Sequence, residues 1–213
     1  MKKVLLVVNN QQPPYSDFTQ MFSQITLDSG QFELDVSEDR DSFTKLDGFD
    51  AVALYIGGGE LTSDQEEGLA KFVRSGGGLL AVHASNAGLG HYGTYSDLIG
   101  SEFVEHDPLA PFEIHVENNV DDILPRLSRT FQVTDECYQM RIRTSAELRY
   151  FQYGSWRMER YPLGYVYDYG SGRVCYNALG HDKRTFEHPD FQDQLIKGLR
   201  YVCQSNDRLE SIR

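Results

Sequence analysis

Leu79-Leu80-Ala81-Val82-His83-Ala84-Ser85-Asn86 is the stretch on which the fold turns. Its four apolar residues are too few for an ordinary helix and show no alternation, so they read as a strand buried on both faces, the kind found in parallel sheets covered by helices. The strand runs straight into a polar loop that begins with a histidine. Upstream, Gly76-Gly77-Gly78 ends a helix carrying Leu69, Phe72 and Val73. That helix starts at Thr62-Ser63-Asp64-Gln65, a hydroxyl followed three residues later by glutamine, which is a capping-box signature. Further back, Ala51–Ile56 is a continuous apolar strand that stops at Gly57-Gly58-Gly59, and a further strand is expected at Phe32–Val36. Between Ser16 and Leu27, Phe18, Met21, Phe22 and Ile25 follow helical spacing, closed by Gly30. Val4–Val8 supplies the first buried strand. Strand and helix alternate, so the expectation is an α/β fold with a doubly wound, mainly parallel sheet of the flavodoxin-like kind.

Downstream the rhythm changes. Phe112–Glu117, Thr130–Thr134 and Glu147–Tyr153 are β-rich with alternating aromatics, and predict antiparallel additions. Tyr165–Tyr169, Gly170-Ser171-Gly172 and Arg173–Ala178 read as a hairpin that delivers Gly180-His181-Asp182. After His188-Pro189, the residues Phe191, Leu195, Leu199 and Val202 describe a closing helix. One domain over residues 1–204 is expected, followed by a polar tail, 205–213, that frays.

The chain of 213 residues is long enough to bury a sizeable core. Its net charge of −12 repels phosphate backbones and anionic lipid, so neither nucleic acid nor a membrane is expected as a partner. Cys137, Cys175 and Cys203 are odd in number and lack C-x-x-C spacing, which predicts reduced thiols. Met1-Lys2-Lys3 and the apolar run behind it stop short of signal-peptide length at Asn9-Asn10, and no segment approaches the roughly 20 apolar residues of a membrane span. A cytoplasmic location is expected.

In open α/β sheets ligands lie beyond the carboxyl ends of the strands. Three strand-end loops qualify: Gly57-Gly58-Gly59-Glu60, His83-Ala84-Ser85-Asn86 and Gly180-His181-Asp182. His83 stands where a sharp strand-to-helix turn exposes one side chain, and an imidazole there can serve as acid, base or metal ligand, or simply fill the turn. His181 has Asp182 beside it as a carboxylate able to orient its ring. Asp135-Glu136-Cys137-Tyr138 adds two carboxylates and a phenol, suited to binding sugar hydroxyls or moving protons. Cys137 is discounted as a nucleophile because the acidic neighbours raise a thiol's pKa. The glycines of 57–59 fit neither G-x-G-x-x-G nor a Walker loop. His91, His106 and His115 complete the inventory with no role, and His188 reads as a helix-start residue.

Asp50–Gly59 with Leu61-Thr62, Phe72–Ser85, Phe131–Tyr138, and Pro162 through Tyr176 to Leu179-Gly180-His181 with Phe186, Pro189 and Phe191 together resemble the ThuA-like family. That family is named for trehalose utilisation and related in fold to class I glutamine amidotransferases. The resemblance spans most of the chain. Where relatives often carry His-Pro-Ile this chain has Asp121-Asp122-Ile123, and where a tryptophan is frequent it has Tyr165. The amidotransferase elbow bears a cysteine; here it bears His83, and imidazole cannot form the thioester, so glutaminase activity is not expected. The resemblance implies a sugar or sugar derivative as the small-molecule ligand, with a hydrolase or isomerase as the expected enzyme class. His83 and His181 would do acid–base work, Glu136 would orient them or bind hydroxyls, and Glu60, Ser85, Asn86 and Tyr138 would line the pocket. No cofactor is expected; a metal-dependent version would use His83, Glu136 and His181 as ligands, although their spacing matches no standard zinc motif. The rival is a non-catalytic binding or scaffold module. Tyr150, Phe151, Tyr153 and Trp156 could form a homo-oligomer surface or a lid, or pack in the core.

Overall fold

The computed structural model describes residues 1–9, 14–87, 93–117, 120 and 124–204. His91, Asp121-Asp122-Ile123 and the tail 205–213 lie outside the described residues.

The apolar runs form the strands that their length and composition predict. Strands β1 (Lys2–Val8), β2 (Phe32–Ser37), β3 (Ala51–Tyr55) and β4 (Gly78–Val82) are joined by helices α1 (Tyr15–Ser29) and α2 (Ser63–Arg74). Every residue of β3 and β4 is buried, as continuous apolar strands require. Helix α1 turns Phe18, Phe22 and Thr26 to the core and stops at Gly30, whose φ of 63° satisfies a left-handed cap. The capping box of α2 forms, with Thr62 Oγ1 accepting from Gln65 N–H and the glutamine side chain answering the Thr62 N–H. Gly78, expected to end this helix, instead opens β4, because its N–H bonds to Asp50.

Beyond β4 a short 3-10 turn (His83–Asn86) and helix α3 (Thr94–Ile99) precede β5 (Ser101–His106), β6 (Ala110–Val116), β7 (Thr130–Asp135), β8 (Tyr138–Ile142), β9 (Arg149–Trp156), β10 (Glu159–Tyr169) and β11 (Gly172–Asn177). Helices α4 (Lys183–Phe186) and α5 (Pro189–Val202) close the fold. His188 is the N-cap of α5, accepting from Asp190 N–H. The main sheet runs β2-β1-β3-β4-β11-β10-β9-β6-β7. Its first five members are mutually parallel and the remaining pairings antiparallel. The sheet is therefore mainly parallel at its centre with antiparallel additions, as expected from the change of rhythm. The separate β5–β8 ribbon and α3 were not expected. Tyr165 anchors both: its hydroxyl lies 2.7 Å from the Ile99 carbonyl and 2.8 Å from Ser101 Oγ. Of the four aromatics near β9, Phe151 is in the core, and Tyr150, Tyr153 and Trp156 are half-buried. No helix among the described residues is long and apolar enough to cross a membrane.

Strand β11 lies close under the end of α2. A Cβ on Gly172 would stand 2.1 Å from the Val73 carbonyl oxygen and 2.2 Å from that of Gly77, backbone atoms that cannot rotate away. Gly172→Ala is expected to cost about 3 kcal/mol through overpacking. Chemical denaturation measures this, and a loss below about 0.5 kcal/mol would mean the two segments are not so tightly apposed.

Candidate functional site

The parallel strands end on one rim, and β4 and β11 are neighbours there, with Val82 opposite Asn177 in register. The next residue on one side is His83 and on the other Ala178, so the two chain ends leave the sheet together. His83 takes φ = 51°, a left-handed conformation rare outside glycine. Such a residue costs about 1–2 kcal/mol. Three hydrogen bonds offset it. Tyr176 donates to the His83 carbonyl at 2.8 Å, His83 Nδ1 lies 2.9 Å from the Ala178 carbonyl, and Nε2 lies 3.1 Å from the Tyr138 hydroxyl. A carbonyl only accepts, so Nδ1 carries the proton and Nε2 keeps its lone pair, with Tyr138 donating to it. The sharp turn predicted at residue 83 thus exists, and it points the imidazole at the rim.

Glu136 and His181 complete the group. Glu136 Oε2 is 3.7 Å from His83 Nε2 and 3.2 Å from His181 Nδ1, and Glu136 Oε1 is 3.6 Å from His106 Nε2. The ring centroids of His83 and His181 are 5.4 Å apart. Side-chain exposure rises from 5% at His83 through 12% at Glu136 to 42% at His181, so the group opens to solvent on the His181 side. Burial pushes the His83 imidazole below its usual pKa, against the pull of nearby Asp135 and Glu136, so it is neutral near pH 7. His181 is shifted upward, first by its hydrogen bond to Glu136. Burial opposes the Glu136 charge, but the hydrogen bond to His181 and the surrounding imidazoles outweigh it and hold the carboxyl below its usual value.

Two of these groups depend on Asp135, which the sequence offered as a second carboxylate for hydroxyls or protons and which the structure uses instead to hold backbone. Asp135 is fully buried, and its Oδ1 accepts from Glu136 N–H at 2.8 Å and His181 N–H at 3.1 Å, while Oδ2 accepts from Gly180 N–H at 2.8 Å. One carboxylate therefore clamps the loop bearing Glu136 to the loop bearing His181. Gly180 takes φ = 123°, which a side chain would resist. His106, given no role from sequence, reaches the site because β5 and β8 pair with His106 opposite Tyr138.

Other expected lining residues go elsewhere. Ser85 is wholly buried, its hydroxyl 2.8 Å from the Val82 carbonyl and 3.0 Å from that of Leu54, so it stitches strand ends together. Asn86 is buried too and donates to Ser101 Oγ. Glu60 is exposed; its carbonyl accepts from Arg40, and its carboxylate makes no contact with the cluster among the described residues. Asp182 does not orient His181, because it caps α4 and pairs with Arg184, and Glu136 takes that part. Cys137, Cys175 and Cys203 are all buried with thiols pushed up to about 12 by burial, which leaves no thiolate near neutral pH.

The ion pair makes a pH prediction. The raised His181 pKa stabilises the fold fully below the ordinary 6.5 and loses that as pH climbs through the raised value. The lowered Glu136 pKa stabilises above the ordinary 4.5 and loses that as pH falls. Glu136→Gln should therefore cost most stability near pH 5.5 and less near pH 9.5, as urea titrations in metal-free buffer would read. An equal cost at both would show that the two groups do not pair.

A family model described as trehalose utilisation, ThuA, matches residues 3–202. No curated protein matches. Among solved structures, a ThuA-like protein from Parabacteroides merdae superposes with a TM-score of 0.81 at 18% identity, covering 95% of this chain and 90% of that one. A ThuA-like protein from Bacteroides uniformis gives 0.73 at 19%, over 94% and 91%. A cold-adapted β-galactosidase from Rahnella sp. R3 gives 0.71 at 16%; it covers 100% of this chain but only 32% of its own, so the likeness concerns one part of that enzyme and its fold alone.

Proposed function

The chain belongs to the ThuA family, and from that premise we propose that it is an enzyme acting on a carbohydrate or sugar derivative by proton transfer at the His83, Glu136 and His181 cluster. The observation that carries this reading is the meeting of those three side chains, drawn from the ends of β4, β7 and β11, around one carboxylate oxygen. A neutral imidazole whose lone pair is held only by a tyrosine hydroxyl, beside a carboxylate hydrogen-bonded to a second imidazole, can take one proton and return another, which is what hydrolysis or isomerisation of a sugar requires. Tyr138 extends the set with a hydroxyl already aimed at His83. The family's description, trehalose utilisation, supports a sugar as the ligand. The reading excludes glutamine amidotransfer, since the elbow holds an imidazole and the described thiols are buried and protonated.

A panel of disaccharides and of oxidised and phosphorylated sugars tests the proposal, read by melting temperature and by NMR detection of product. At least one member should both raise the melting temperature and be converted. Stabilisation without conversion would mark a binding module, and a panel with no response would remove carbohydrate as the ligand class.

A further inference from the structure

We propose that the His83–Glu136–His181 cluster holds a divalent first-row transition-metal ion, so that the proton the site moves belongs to a metal-bound water. The proposal rests on the enzymatic reading above for its substrate, but its geometry stands separately. Among the described residues one ring nitrogen each of His83 and His181 and a Glu136 carboxylate oxygen lie within 4.8 Å of one another. Ligands about 2.0–2.1 Å from a tetrahedral ion stand about 3.3 Å apart. Glu136 Oε2 and His181 Nδ1 are already 3.2 Å apart, and Glu136 Oε2 and His83 Nε2 are 3.7 Å apart. The remaining adjustment falls to His181, the most exposed of the three.

The surroundings match what ligating groups need. A metal-bound imidazole must present a lone pair, and its other nitrogen is held by a backbone carbonyl or carboxylate. His83 has Nδ1–H on the Ala178 carbonyl and Nε2 turned to the cluster, and an ion would take the Nε2 lone pair that now accepts from Tyr138, the hydroxyl turning its proton elsewhere. Of the two Glu136 oxygens, Oε2 is the one nearer His83 and His181 and so the one placed for the ion, while Oε1 lies toward His106. Two imidazoles and one carboxylate suit zinc, iron, cobalt or manganese and not calcium or magnesium, which take oxygen ligands. Three protein ligands leave a coordination position for water on the solvent side, where His181 is exposed. Such water loses a proton near neutral pH.

Zinc and cobalt ions are the probes. Titration calorimetry of the full chain, stripped with chelator, should show one Zn2+ per chain, and Co2+ should give visible absorption bands typical of nitrogen–oxygen coordination. His181→Ala, at an exposed position that threatens the fold least, and Glu136→Gln should each weaken Zn2+ binding at least about 100-fold and change the cobalt spectrum. Absence of stoichiometric binding, or undiminished binding by His181→Ala, overturns the metal site. Sugar turnover that persists after exhaustive chelation also overturns it while leaving the carbohydrate reading intact. One tightly bound Zn2+ in a protein that converts no sugar does the reverse.

Discussion

His83→Asn is expected to lower turnover of the sugar substrate at least about 1,000-fold while the protein still folds, a loss within the range that acid–base groups contribute. Asparagine is chosen because it tolerates the left-handed backbone that residue 83 adopts, whereas alanine there would add strain to the test. Its amide can still donate to the Ala178 carbonyl, but it cannot offer the lone pair that Nε2 turns toward Glu136 and Tyr138. The stability cost should stay near 1–2 kcal/mol, since one hydrogen bond is lost and the ring leaves a small void. Steady-state rates with the best member of the sugar panel, beside a urea titration, separate the two effects. Retention of more than about a tenth of the activity would remove His83 from the chemistry.

Asp135→Ala should have the largest effect on stability. The substitution strips three backbone N–H groups, those of Glu136, Gly180 and His181, of their shared acceptor in a fully buried place. Each stranded donor costs about 1–3 kcal/mol. Partial relief by entering water leaves a loss of about 3–5 kcal/mol, and at about 2–4 °C per kcal/mol for a chain of this size the melting temperature should fall by about 6–20 °C. Asp135→Asn keeps one accepting oxygen and should lose roughly half as much. Because the clamp joins the loops of Glu136 and His181, the asparagine variant should also lose activity in excess of its modest destabilisation. Calorimetry shows the first effect and rates at low temperature the second; a melting temperature within about 2 °C of wild type for Asp135→Ala would mean that the loops hold each other without the clamp.

The contrast between Asp135 and Glu136 shows how far sequence could carry the site. The run Asp135-Glu136 at the end of a predicted strand marks the place, and the expectation that Glu136 belongs with His83 and His181 has the geometry it needs. Neighbouring residues at a strand end point to opposite sides, so one acid had to face the loop of Gly180 and the other the rim. Which did which depends on where β11 ends relative to β7, a long-range fact without local trace. The same logic explains Ser85 and Asn86: polar residues in a strand-end loop look like ligand contacts, but the carbonyls of Leu54 and Val82 and the Ser101 hydroxyl claim them first. His106 was illegible because its position follows from the pairing of β5 with β8, two short strands whose patterns carry no periodic signal. Strands β1, β3 and β4 were the most legible part of the sheet, since from Val4 to Val8, Ala51 to Tyr55 and Gly78 to Val82 they are buried and continuously apolar.

Cooperation among the converging groups is tested most directly by a double-mutant cycle between His83→Asn and His181→Ala in sugar turnover. Residues that serve one chemical unit are non-additive, so the double variant should be slower than the worse single variant by no more than about tenfold. Multiplying losses, or a His181→Ala protein as fast as wild type, would contradict a shared site.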